Sequence, residues 1–333
     1  MIRPALGVFA ALLIACAAPA NAAEPYGIGL EGFAYPYPVT MLTLPPEGET
    51  LRMGYMDVKP SANANGRTVL LLHGRNFPSS YWEPTIKALA GAGYCVIVPD
   101  QIGFGKSSKP LAEKSFDDLA RHTAYLLDQL KLDRVDIVAH SMGGMLAVRL
   151  ARSNPSRVNR LLLEAPIGLE DYRAYVPPVT TERLLQVEDA LDSDGYRRQL
   201  VTNYSLTLPP EAITPFIESR MRIKEAAEYP RWLLAFVNTY HMLYREPVVY
   251  DYPLLQTETL FIMGANDHNA PGRPYAPEPL RAKMGENAKL AREIAGKMPN
   301  AKAVVFEGVG HLVHMEAEAK FNAAMLAFLN APR

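Results

Sequence analysis

Cysteine is nearly absent from this 333-residue chain, and the places of its two copies exclude a fold built on disulfides. Cys16 lies in an N-terminal apolar run. Cys95 lies in Tyr94-Cys95-Val96-Ile97-Val98, a strand-like stretch where a small thiol is expected to serve packing. If the run is removed, one cysteine remains and no internal disulfide can form. Net charge is equally scarce, with 34 basic against 35 acidic residues. That balance gives no field suited to nucleic acid, to an anionic membrane surface or to a strongly charged substrate. Internal repeats, low-complexity linkers and spaced sets of metal ligands are also missing, so neither a metal nor a cofactor is expected. What remains is ordinary for a globular protein with a real core: 49% hydrophobic and 21% charged residues, enough for one large domain or one domain with an insertion.

The one long apolar run, residues 5–18, is too short and too alanine-rich to favour a membrane anchor. Arg3 precedes it, and Ala20-Asn21-Ala22 supplies a small-x-small cleavage site. Residues 1–22 therefore read as a signal peptide, with a mature start near Ala23, no transmembrane span in the mature chain and a periplasmic or secreted destination. Those residues hold one base, Arg3, and no acid, so their loss takes the formal charge from −1 to −2. Leu13-Ile14-Ala15-Cys16 supports an alternative, because it resembles a bacterial lipoprotein signal that would leave the protein lipid-anchored through Cys16.

Beyond that segment, strand and helix signals alternate. Residues 31–60 mix aromatic and aliphatic residues with turn formers such as Pro45-Pro46-Glu47-Gly48, which suggests an antiparallel hairpin at a sheet edge. Thr68–Leu72, Tyr94–Val98, Arg134–Val138, Arg160–Glu164, Thr259–Met263 and Ala303–Phe306 read as buried strands. Helices are expected over Trp82–Ala92, after a Ser115/Asp118 capping box, over Met145–Ala151, over Leu280–Lys297 and over Glu316–Asn330. The alternation argues for a mainly parallel sheet with helices on both faces. It breaks over 168–256, a tyrosine-rich stretch of helical period, read as an inserted helical cap between core parts 23–167 and 257–333.

Val138-Ala139-His140-Ser141-Met142-Gly143-Gly144 sits between a strand and a helix. A serine there is either a plain helix N-cap or a nucleophile on a sharp turn, with small residues two positions either side. The following helix N-terminus offers unpaired N–H groups suited to an oxyanion. A serine nucleophile needs a base oriented by an acid. Gly264-Ala265-Asn266-Asp267-His268 follows one strand and Gly310-His311 another, giving the order Ser141, Asp267, His311.

With His73-Gly74 and Asp100-Gln101-Ile102-Gly103-Phe104-Gly105-Lys106-Ser107, these stretches resemble the α/β-hydrolase superfamily, cap-bearing branch, from about residue 30 to the C-terminus. Ala139 replaces the usual first glycine of the elbow. The resemblance implies that Ser141 attacks a carbonyl, that His311 takes and returns its proton, and that Asp267 holds the imidazolium. It further implies an oxyanion hole from the backbone N–H groups of Met142 and Arg75. Glu164, at the end of a strand, is the alternative acid, because some relatives take theirs there. His314 is a rival base with a structural role favoured. His268 lacks partners for a metal site, His73 and His140 read as structural hydrogen-bonders, and His122 and His241 carry no signal.

The expected activity is an exported serine hydrolase cleaving a carboxylic ester or lactone through an acyl-enzyme. The same triad would serve a C–C bond (diketone) or amide hydrolase, and a catalytically silent binding protein of the same fold is the remote alternative. Ser141 excludes dehalogenase and epoxide hydrolase relatives, which need aspartate at the elbow. His-Gly-Arg-Asn-Phe departs from the glycine-rich loop of proline iminopeptidases, whereas cofactorless haloperoxidases keep the triad and are not separated. The tyrosine-rich segment suggests a small, mostly uncharged acyl substrate.

Overall fold

The computed structural model describes residues 24–332. The expected signal peptide and Cys16 lie outside the described residues. Eight strands form the sheet: β1 (Val39–Thr43), β2 (Arg52–Val58), β3 (Thr68–Leu72), β4 (Cys95–Pro99), β5 (Val135–His140), β6 (Val158–Glu164), β7 (Glu258–Gly264) and β8 (Ala301–Phe306). Their order is β1-β2-β4-β3-β5-β6-β7-β8. β1 and β2 pair antiparallel, β2 meets β4 antiparallel, and every later pairing is parallel. The expected edge hairpin and mainly parallel sheet are therefore both present.

The central strands are continuous apolar runs because both their faces are covered. Side chains alternate across the sheet, so neighbours on one strand belong to different cores. Leu70, Leu72, Ile137 and Leu163 face one cluster, and Val69, Leu71, Val138 and Leu162 face the other. Helices α1 (Glu83–Gly91), α2 (Phe116–Gln129) and α3 (Met142–Ser153) follow β3, β4 and β5. α2 begins at the expected capping box, with Ser115 and Asp118 each bonding the other's backbone N–H, and buries Phe116, Leu119, Leu126 and Leu127 beside α3.

Between β6 and β7 the regular elements are helical: α4 (Thr181–Asp189), α5 (Ser193–Tyr204), α6 (Thr214–Lys224) and α7 (Tyr229–Arg245), with short 3-10 turns. A third cluster unites Leu184, Ile223, Trp232 and Phe236 of these helices with Leu30. The C-terminal part adds α8 (Glu278–Arg281), α9 (Asn287–Ala295), α10 (Val313–Glu316) and α11 (Glu318–Asn330). Here two sequence readings need correction. The single helix expected over 280–297 is two, because Gly285 adopts φ 82°, left-handed backbone that no α-helix continues through. The last helix begins at Glu318, after Ala317 leaves helical geometry with φ −136°.

Candidate active site

The sheet reverses its order of growth at β3, whose neighbours are β4 and β5, and ligands of such sheets bind beyond the strands' carboxyl ends at that point. Ser141 follows β5 there. Its φ of 55° is left-handed, a strain of about 1–3 kcal/mol for a non-glycine residue that persists only where neighbours fix it. They do. Its N–H donates to Glu164 O at 3.1 Å, and its carbonyl accepts from Gly144 and Ile167. A Cβ on Gly143 would stand 2.4 Å from Leu72 O, so helix and strand approach closely only with glycine there. The Ser141 hydroxyl makes no capping bond to α3. It lies 2.9 Å from His311 Nε2 instead, which removes the N-cap alternative.

His311 Nδ1 is 3.0 Å from Asp267 Oδ2, and both side chains are fully buried. Asp267 Oδ1 accepts the Asn269 N–H, so each carboxylate oxygen has a fixed donor. The loop carrying His311 is clamped from several sides. Its N–H donates to Tyr204 O, and the Tyr204 ring lies 4.4 Å from the imidazole. Glu316 accepts the N–H groups of Gly310 and Leu312, on either side of the histidine, together with the N–H and the hydroxyl of Thr207. Asn269 Nδ2 also comes within 3.3 Å of His311 Nε2.

A second chain of bonds joins three loops. The Gly74 N–H donates to Tyr81 Oη, which donates to His140 Nδ1, and His140 Nε2 donates to His311 O. This pattern requires a neutral His140. Burial, with His311 and His314 nearby, pushes its pKa well below the ordinary imidazole range. His73 is neutral in the same way, donating from Nδ1 to Gly74 O and accepting Gln101 N–H at Nε2, with burial lowering its pKa. Both histidines are structural hydrogen-bonders, as the sequence suggested.

The rival acid is placed elsewhere. Glu164 Oε1 accepts both the backbone N–H and Nδ1 of His314 at 2.8 Å, so the two rivals occupy each other rather than Ser141 or His311. His268 bonds Gly285 O, His122 bonds Glu47 and His241 bonds Thr181. Met142 opens α3, where the first N–H groups have no intrahelical acceptor. Arg75 stands in the loop after β3. Its guanidinium donates from Nε to Thr239 Oγ1 and from NH2 to Phe236 O, and lies 3.8 Å from the Phe236 ring centre. A cavity of about 710 Å³ opens onto Ser141, lined by the loops after β3 and β7 and by α4, α5 and α7.

Tyr81, Tyr204, Asn269 and Glu316 were missed as site residues. Glu316 stands five positions past His311 and could have been suspected from a carboxylate so near a glycine-flanked histidine. The other three carry no spacing signal.

A family model described as the alpha/beta hydrolase fold matches residues 67–244. A 2-hydroxy-6-oxononadienedioate/2-hydroxy-6-oxononatrienedioate hydrolase of Dechloromonas aromatica is 30% identical over 292 residues, covering 84% of this chain and 93% of its own. The crystal structure of a probable hydrolytic enzyme from Pseudomonas aeruginosa shares 39% identity with a TM-score of 0.89, over 92% of this chain and 99% of the other. An esterase from Exiguobacterium antarcticum, 19% identical, superposes with a TM-score of 0.68 over 88% of this chain and 99% of its own, a likeness of fold alone.

Proposed function

Because the chain belongs to the alpha/beta hydrolase fold family and is a hydrolase, we propose that it cleaves a carboxylic ester or lactone through an acyl-enzyme on Ser141. The observation that carries this reading is the pair of bonds about His311, 2.9 Å to Ser141 Oγ and 3.0 Å to Asp267 Oδ2. With Nδ1–H donated to Asp267, Nε2 is free to accept the serine proton as Oγ attacks the carbonyl carbon. The tetrahedral oxyanion is received by the N–H groups of Met142 and Arg75, each donor contributing about 3–4 kcal/mol in comparable enzymes. His311 then protonates the leaving alcohol, and water attacks the acyl-enzyme with His311 again as base. Residues 168–256 form a cap over this chemistry, and residues 1–22 direct export, with a lipid on Cys16 as the alternative outcome.

A second reading is favoured by a specific observation: the Dechloromonas relative is named as a hydrolase of an oxo-dienedioate. The same triad would then break a C–C bond beside a ketone. Fluorophosphonate labelling of wild type, Ser141→Ala and His311→Ala tests the shared machinery, with intact mass locating the adduct and the processed N-terminus. Labelling on Ser141, absent in the first variant and sharply reduced in the second, supports it. A folded wild type that never labels would sink it in favour of a binding protein. Turnover of matched ester, amide and vinylogous diketone substrates then decides the bond.

A further inference from the structure

The cavity above Ser141 carries a charge that the whole chain lacks. Its lining holds four arginines, Arg75, Arg183, Arg273 and Arg281, and one acid, Glu188, in a protein of formal charge −1. Glu188 is engaged, its Oε2 2.6 Å from Arg220 NH2 and its Oε1 3.8 Å from Arg75 NH1. Arg75 is spent on α7, as described above. The other three are not. Among the described residues, Arg183, Arg273 and Arg281 form no ion pair. Arg273 and Arg281 each use one nitrogen on carbonyls of the surrounding loop, and the Arg183 guanidinium has no hydrogen-bond partner among the described residues. The acid that feels Arg273 is Glu170, whose carboxyl accepts Gly285 N–H.

A second observation points to the same cavity. Tyr240 is 7% exposed and lines it, and its hydroxyl is buried without a partner among the described residues. A buried O–H left unpaired is costly, and a ligand oxygen would relieve it. The tyrosine-rich segment suggested a small, mostly uncharged substrate, and the near-neutral composition argued against a strongly charged one. Net charge averages over the whole surface and does not report one cavity.

We propose that the substrate bears a carboxylate remote from its reacting carbonyl, held by the guanidinium groups of Arg183, Arg273 and Arg281 with Tyr240 Oη as a further donor. The inference rests on the proposed function only in placing the reacting end at Ser141. Planar guanidinium forks match carboxylate oxygens, and with Arg273 half-buried and Arg183 and Arg281 exposed, all three are open to an entering ligand.

The test separates recognition from reaction. Ser141→Ala protein is titrated by calorimetry with methyl half-esters of dicarboxylic acids, butanedioic to octanedioic, and with the matching dimethyl esters. At least one half-ester is expected to bind about tenfold or more tighter than its diester, the gain of a charge-assisted contact. Adding Arg183→Gln, Arg273→Gln and Arg281→Gln together is expected to erase that ratio. Each single change lowers it if the triple variant does not fold, and Arg→Lys versions keep part of it. Equal affinities throughout, tighter binding of every diester, or a ratio indifferent to the arginines would overturn the proposal. Wild-type turnover of the diesters is scored separately. Preferential binding without turnover of any ester would defeat the ester reading and leave the carboxylate site standing.

Discussion

Asp267, Glu164 and Glu316 all reach the segment that carries His311, through different atoms. Asp267 takes the ring, Glu316 takes the main chain on both sides of the ring, and Glu164 takes His314 three residues on. Replacing Asp267 with Asn puts an amide opposite Nδ1 and lets the ring settle in the wrong tautomer. Turnover of a reactive ester is expected to fall about 10⁴-fold, as for the acid of comparable triads. Glu164→Gln leaves the His311–Asp267 bond intact and should cost less than about tenfold. Removing that buried partner outright, as Glu164→Ala, should instead lower stability by about 3 kcal/mol, read from urea midpoints. A Glu164→Gln enzyme as crippled as Asp267→Asn would reverse the assignment. Sequence alone left these two acids as rivals because both end strands, and which one faces which histidine is set by β6–β7 packing. Ser141 and His311 were legible because small residues beside a strand end mark a turn that must expose its neighbour. Tyr204 and Tyr81 were not, since a tyrosine that packs beside His311 or bonds His140 reads like any core tyrosine.

At the scale of elements, the helices between β6 and β7 are tied to the core through a few polar anchors over an apolar seam. Arg75, which lines the same cavity as Ser141, is one such anchor. Burial pushes its pKa down, but the carboxylate of Glu188 and the Phe236 face favour the charged form. Because the oxyanion donor assigned to Arg75 is a main-chain N–H, Arg75→Met keeps that donor and loses the anchor. Proteolytic cleavage within 168–256 should then speed up by about tenfold or more, while the rate of fluorophosphonate labelling changes less. Unchanged cleavage would show that the apolar seam alone holds the segment. The N-terminal stretch is a second anchor. Leu30 is buried against Trp232 and Phe236, its carbonyl accepts Lys106 Nζ, and the Tyr26 N–H donates to Arg222 O. Element types were legible from periodicity, whereas breaks inside long helical patterns were less so. Gly285 was visible as an isolated glycine, yet its left-handed φ depends on the neighbouring His268 loop, which bonds Gly285 O through His268 Nδ1. Ala317 gave no signal at all, because alanine is the best helix former and only the fold around it interrupts the helix.

At the scale of the whole molecule, the parallel strands hold their neighbours by long-range pairing, but the β1–β2 edge depends on its turn. Glu47, in Pro45-Pro46-Glu47-Gly48, carries that turn to α2, meeting Arg121 at 2.8 Å, His122 at 3.2 Å and Lys114 at 3.3 Å. Arg121 foremost, then His122 and Lys114, lowers the Glu47 carboxyl from 4.5 to about 2. Burial pushes His122 itself down, so at neutral pH the charged partners are the arginine and the lysine. A carboxyl whose folded pKa lies below its unfolded one contributes stability above the unfolded value and loses it as pH falls through the folded value. The window is therefore from about pH 4.5 down to about pH 2. Urea midpoints of wild type and Glu47→Gln should differ at neutral pH and converge across that window. A gap that persists undiminished to its acid end would mean that the turn is held by packing and that the ion pairs add nothing to the edge.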